Sequence, residues 1–219
     1  MATSKAKKAA PTTDGAVAIS RPDFRTIQVK IIGTAPLVIN RFSARSADKM
    51  RMAQEAGGAS KSKKTRDPKD FDQVTEDAKH ISSEGWEGFH AAAIRNACIS
   101  ACRAAGFKMT LAKLAVFVDP DGLDKVDATP LVRLTGKAEQ WVTTVRNSSG
   151  VVDLRPRPLY RDWSATLRIS YDAGLLQQAD IINLLHRAGR QVGIGEGRPD
   201  SRMSAGLGFG TFRLESIAD

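Results

Sequence analysis

The chain is short of the residues that build cofactor and metal sites. Its 219 residues include two cysteines, Cys98 and Cys102, and three scattered histidines, His80, His90 and His186. Neither their number nor their spacing makes a zinc set. The interval between the cysteines puts both thiols on one face of a helix, where free thiols behave as small apolar groups. No metal-ligand, triad or phosphate-loop motif occurs, so no cofactor, metal or enzymatic activity is expected. Asp119, Asp121, Asp124 and Asp127 form an acidic run around a Pro-Gly turn, which reads either as a solvated loop or as a holder for a cation. No apolar run approaches the roughly 20 residues that span a bilayer. The opening stretch MATSKAKKAAPTTDG lacks the apolar centre of a signal peptide. With reduced thiols, these absences predict a cytoplasmic protein without a membrane partner.

What is present is positive charge and glycine. The formal net charge is +9, and 42% of residues are hydrophobic, enough for a core. A basic chain of this kind points to nucleic acid or an anionic surface. Residues 1–22 read as a disordered basic arm, either touching nucleic acid or simply solvated. Residues 23–219 read as a single domain with a flexible insertion near 57–80. That insertion contains GGASKSKKTRDPKD, in which Lys61, Lys63, Lys64 and Arg66 are placed to meet phosphates irrespective of base sequence.

Periodicity predicts the elements. Arg25–Gly33 alternates as a half-buried strand, Thr34-Ala35-Pro36 breaks it, and Leu37–Ile39 resumes it. Asn40-Arg41 then leaves in a polar turn that suits a phosphate and equally suits a helix cap. Ala44–Glu55 is a short helix with Arg45 outward. Gly88–Ala105 is a helix with an apolar stripe at Ile94, Cys98, Ala101 and Ala105, stopped by Gly106, with Arg95 and Arg103 near one another on its face. Strands are expected at Lys113–Val118, Pro130–Leu134 and Gln140–Arg146. The prolines of Arg155-Pro156-Arg157-Pro158-Leu159-Tyr160-Arg161 predict a stiff connection that exposes Arg155, Arg157 and Arg161. Asp162–Tyr171 alternates cleanly, with Trp163, Ala165, Leu167, Ile169 and Tyr171 on one side. Asp172 is placed to cap a helix over Gly174–Ala188 that buries Leu175, Ala179, Ile182 and Leu185. Gly189 falls at its expected end, and Leu207–Ile217 closes as a strand.

Seven of the chain's 18 glycines lie between Gly189 and Phe212: Gly189, Gly193, Gly195, Gly197, Gly206, Gly208 and Gly210. Arg187, Arg190, Arg198 and Arg202 are interleaved with them. Glycine allows close approach to the main chain, and arginine offers a fork of donors that suits phosphate. The stretch is therefore a candidate backbone-lined anion site, or else a loop that only solves a turning problem. Its order, helix then glycines then strand, is the reverse of a dinucleotide fingerprint.

Helices separated by runs of strands predict an α+β fold with an antiparallel sheet covered on one face. Coarsely, they fit a ferredoxin-like, modified RRM core with inserted basic loops. The closing segment HRAGRQVGIGEGRPDSRMSAGLGFGTFRL resembles that of the RAMP superfamily, the RRM-like RNA-binding proteins of CRISPR effector complexes. Pro36-Leu37-Val38-Ile39-Asn40-Arg41 and the helix behind Gly88-Phe89-His90 are similar to the subunit that polymerises along guide RNA. The resemblance implies a sequence-independent grip on single-stranded RNA, head-to-tail self-association and contact with other effector subunits. It sets Asn40 and Arg41 beside the nucleic-acid backbone. It assigns the glycine loop to Gly193, Gly195, Gly197, Gly206, Gly208 and Gly210, with Arg198 and Arg202 as donors. The chain departs from the pattern in two ways. No pair of sheet aromatics for base stacking is evident, and no aspartate follows the first strand before Asp48, which argues against the nuclease members. A phage-type single-stranded DNA-binding or annealing protein, and an assembly protein without nucleic acid, remain the alternatives.

Overall fold

A computed structural model describes residues 21–42, 44–55, 57, 70–146, 150, 152–201 and 205–215. The elements run β1 (Phe24–Gly33), β2 (Leu37–Val38), α1 (Ala44–Glu55), α2 (Phe71–Asp77), β3 (His80–Ile81), β4 (Glu87–His90), α3 (Ala91–Ala105) and α4 (Met109–Ala115). There follow β5 (Val116–Asp119), β6 (Gly122–Leu123), β7 (Pro130–Arg133), β8 (Thr135–Arg146), β9 (Val152–Asp172), α5 (Gln178–Arg187), one wider π-type turn (Ala188–Val192) and β10 (Phe212–Leu214). The fold is mixed α+β with two antiparallel sheets. Among the described residues no helix is long and apolar enough to cross a membrane.

The larger sheet is built on β9. Along one edge β9 pairs with β1 and then β2; along the other it pairs with β5 and β8. β10 pairs with the free edge of β1. The order β10-β1-β9-β5 joins a path of strand, helix α3, strand, strand, helix α5 and strand. The register Ile27–Ile169, Val29–Leu167 and Ile31–Ala165 aligns apolar residues on one face. Against that face α3 brings Ile94, Ala97, Cys98, Ala101 and Cys102, and α5 brings Ile181, Leu184 and Leu185. The outer face keeps Thr26, Gln28, Lys30, Thr166 and Arg168 exposed. The smaller sheet, β3-β4-β7-β6, lies beside the amino end of α3.

Several sequence expectations are corrected. Gly88–His90 belong to β4, because they pair with Leu131, Val132 and Arg133; the helix starts at Ala91. Ala105 is exposed, and the stripe turns through Ala97 and Cys102 instead. Lys113 lies in α4, and the strand begins at Val116. Arg155–Arg161 is no exposed connection but the middle of β9, with Arg157 buried. Its prolines fit because their missing N–H groups face the edge where β2 ends; Pro158 there only accepts, from the Ile39 N–H at 3.1 Å. Asp172 holds a turn through Gly174 rather than a helix cap. α5 starts later, with a reciprocal capping box between Gln177 and Asp180, and so it leaves Leu175 and Ala179 exposed. Gly189 does not end the helix. It is buried against Phe212, where a Cβ would strike the strand, and the left-handed stop is Gly193 (φ 70°). The final strand is only Phe212–Leu214, because Leu207–Gly210 turns back on the loop. Helix α2 and strands β3 and β6 were not anticipated; they are too short to show a period.

Leu167 is fully buried at the centre of the β9 row. Leu167→Ala is expected to cost about 2–5 kcal/mol. A fall in the urea midpoint at unchanged slope checks this.

Candidate nucleic-acid interface

The glycine-rich stretch Gly193–Gly210 folds back on the start of the chain rather than standing free. Glu196 N–H donates to Val38 O (2.9 Å), Gly210 N–H to Pro36 O (2.7 Å) and Ile194 N–H to Gly210 O (3.0 Å). Leu207 and Phe209 N–H groups both donate to Gly197 O. Gly195 has φ 78°, and a Cβ there would lie 2.5 Å from Val38 O. Much of the glycine content therefore serves close backbone packing. Trp141 of β8 seals the outside, edge-on to Phe209 at 5.5 Å.

Between this loop, the end of β2 and the start of α3 lies an open cleft of about 430 Å³. Asn40, His80, His90, Asn96, Glu196 and Arg198 supply its polar lining, and Ala92 and Ala93 of the first turn of α3 face it. His90 is the N-cap of α3 but makes no side-chain capping bond, so that end keeps its positive pole uncovered. Arg198 donates to Gly195 O at 3.1 Å, which steadies the side chain and leaves further guanidinium donors. His80 is only 7% exposed, and its Nδ1 lies 3.0 Å from Asp124 Oδ2. Burial, the largest influence, holds the His80 ring below its ordinary pKa against the opposing pull of Asp124. The His90 ring lies beside it, centroids 4.3 Å apart, and its Nε2 is buried without a partner.

Of the residues proposed from sequence, the fold gathers Asn40, Gly195 and Arg198 at this cleft. Gly193, Gly197, Gly206 and Gly208 lie in the adjoining loop, all with positive φ. Arg41 turns inward; its side chain is 10% exposed and lies 3.3 Å from Asp124 and 3.8 Å from Asp127. Arg95 donates to Val116 O and Lys113 O and lies over the Phe117 ring. Arg157 is buried against Glu196 at 2.9 Å, Arg161 pairs with Glu139 at 2.7 Å, and Arg155 lies 3.8 Å from Asp153. Arg187, the last residue of α5, and Arg190, in the π-type turn after it, are exposed, and neither lines the cleft. The Arg45 side chain and Lys61, Lys63, Lys64, Arg66 and Arg202 lie outside the described residues. In the acidic run, Asp124 is committed to Arg41 and His80, Asp119 accepts from Ser170, and Asp121 accepts from the Arg133 N–H. Among the described residues no group of three or more potential ligands is placed to hold a metal ion.

Sequence reasoning missed His80, His90, Asn96 and Glu196 as neighbours of the loop. It also missed an aromatic pair on the outer sheet face, Phe24 and Phe117, edge-to-face at 5.7 Å. These residues come from distant segments, and no spacing in the chain joins them.

No protein-family profile matches the chain, and no curated protein matches it. Among solved structures it is similar to Cmr6 from Pyrococcus furiosus, at 12% identity, covering 87% of this chain and 98% of that one, with a TM-score of 0.36. An overlap this loose carries no functional argument.

The Arg157–Glu196 pair ties β9 to the glycine loop. Removing its acceptor leaves a buried guanidinium, so Glu196→Ala is expected to cost about 2–3 kcal/mol, toward the lower end for a pair because Glu196 is partly exposed. Glu196→Gln, which keeps an acceptor, is expected to cost about half as much. Thermal melts of the two variants check the ordering.

Proposed function

We propose that this protein binds single-stranded nucleic acid, RNA in preference to DNA, through its phosphate backbone and without catalysing a reaction on it. The observation that carries the reading is the cleft. It joins the uncovered amino end of a 15-residue helix to Arg198, Asn40 and Asn96 beside the glycine loop. Helix amino ends, guanidinium groups and amide side chains bind phosphate oxygens irrespective of base. The net charge of +9 draws a polyanion toward such a site.

The strand order β10-β1-β9-β5, with two helices on one face, supports a ferredoxin-like, modified RRM core. Among the described residues the outer sheet face offers one aromatic pair at its corner, Phe24 with Phe117. Arg168 there is already held by Pro120 O and Asp121. Base stacking across the sheet is therefore weakly provided for, which favours the cleft and its loop as the binding surface. The likeness of the sequence to the RAMP superfamily supports the further reading of a subunit repeated head-to-tail in a CRISPR-like ribonucleoprotein, with other effector subunits as partners.

Arg198→Ala is expected to weaken binding of a single-stranded RNA oligomer roughly tenfold at low salt. It should also reduce the salt slope by about one and leave base preference unchanged. Fluorescence anisotropy across a salt series measures all three. Unaltered affinity and slope would remove the cleft from the binding surface. A matched DNA oligomer in competition decides the polymer.

A further inference from the structure

The cleft has a feature that phosphate recognition alone does not explain. Asp124 lies at the closed end of a chain of contacts leading to the opening. It is 3% exposed and accepts from Arg41, from the Val126 N–H at 2.9 Å and from His80. A carboxylate only accepts hydrogen bonds. The His80 proton must therefore sit on Nδ1, and the neutral ring turns an unprotonated Nε2 away from Asp124. Among the described residues no hydrogen bond is made by this Nε2, and the buried ring lines the cleft beside His90, whose own Nε2 is buried without a partner. A lone pair on the His80 Nε2 repels a phosphate oxygen. Only the imidazolium form can donate to one.

We propose that the uncapped amino end of α3 holds one phosphodiester of the bound strand and that His80 is its proton-operated donor. This rests on the cleft being the nucleic-acid site. Phosphate binding then draws a proton onto Nε2, while Asp124 keeps the Nδ1 proton and offsets the new charge. No covalent step is involved. The groups facing His80 set the balance. Asp124 favours the charged ring; His90 from the start of α3 and Arg41 from the turn after β2 oppose it. Arg198 and Glu196 come from the glycine loop, and Asp127 lies beyond Arg41.

The sign follows from the direction of the shift. The folded protein holds His80 below its ordinary value of 6.5, so without ligand protonation costs stability, and that stability is lost as pH falls below the unfolded value. A bound phosphate reverses this by stabilising the imidazolium. Binding is therefore expected to tighten as pH falls, over the range where the unliganded fold weakens.

The test is binding of a short oligouridylate to the full chain by anisotropy at constant ionic strength, from about pH 8 to about pH 5.5. Affinity is expected to rise about tenfold toward low pH, the worth of one charge-assisted hydrogen bond. His80→Gln should flatten the profile, and His186→Gln, on the exposed side of α5, should keep it. Calorimetric titration of the unmodified protein in buffers of different ionisation enthalpy is expected to show net proton uptake on binding near neutral pH, and it does not depend on any variant folding. Binding that is unchanged with pH and takes up no proton, yet still falls with Arg198→Ala, overturns the histidine donor and leaves the cleft standing. A pH profile that survives His80→Gln in a folded variant also overturns it. Absence of binding at every pH overturns the donor and the cleft together.

Discussion

The core gathers around one row of one strand: Trp163, Ala165, Leu167, Ile169 and Tyr171 along the inner face of β9 share a single buried cluster with the apolar residues of α3, α5 and β5. That strand is 21 residues long and pairs with four others. A one-residue slip would turn the row to solvent and present Thr166 and Arg168 to the helices, so the register of the sheet is set by the core. Gly33 and Gly189 matter for the same reason. A side chain at Gly33 would collide with the Trp163 ring, and one at Gly189 with Phe212, and both rings close the end of this core.

The cleft is a product of that packing. β9 carries Arg157 to Glu196 and so anchors the glycine loop. β2, bonded to the same strand, supplies the carbonyl that receives the Glu196 N–H. α3 packs against β5, α5 and the π-type turn that leads into the glycine loop, and its position sets where its amino end opens. The small sheet then brings β3 alongside, with His80 held by Asp124. Residues that look like a cationic surface in the chain are given different roles by the fold. Arg41, Arg95 and Arg157 are held by carboxylates and backbone carbonyls of the fold, Arg187 and Arg190 point to solvent away from the cleft, and Arg198 faces it. Counting arginines overstates the phosphate contacts, because a guanidinium that offsets a buried carboxylate is held by the cost of leaving that charge alone.

Periodicity carries the elements whose burial has one clean face. The alternation of Arg25–Gly33 and Asp162–Tyr171 and the stop at Gly106 (φ 70°) correspond to β1, the second half of β9 and the end of α3. It fails where context overrides it. Pro156 and Pro158 read as a connection, yet they lie in a strand because their missing donors meet an open edge. Gly88-Phe89-His90 reads as helix, yet pairing with β7 claims it for a sheet. Of the cleft, Asn40, Gly195 and Arg198 were legible as residue types suited to phosphate beside unusual backbone.

The sequence by itself determined a basic α+β chain, the inward row of its main strand and a glycine-rich closing loop, because each is a property of neighbouring residues. Only the tertiary structure decided which arginines face outward, that Asp124 holds His80 and Arg41, and that the loop meets the amino end of α3. Those contacts join residues as far apart as Val38 and Glu196, or Arg41 and Asp124. Their partners are selected by burial and charge compensation across the core, which no local pattern records.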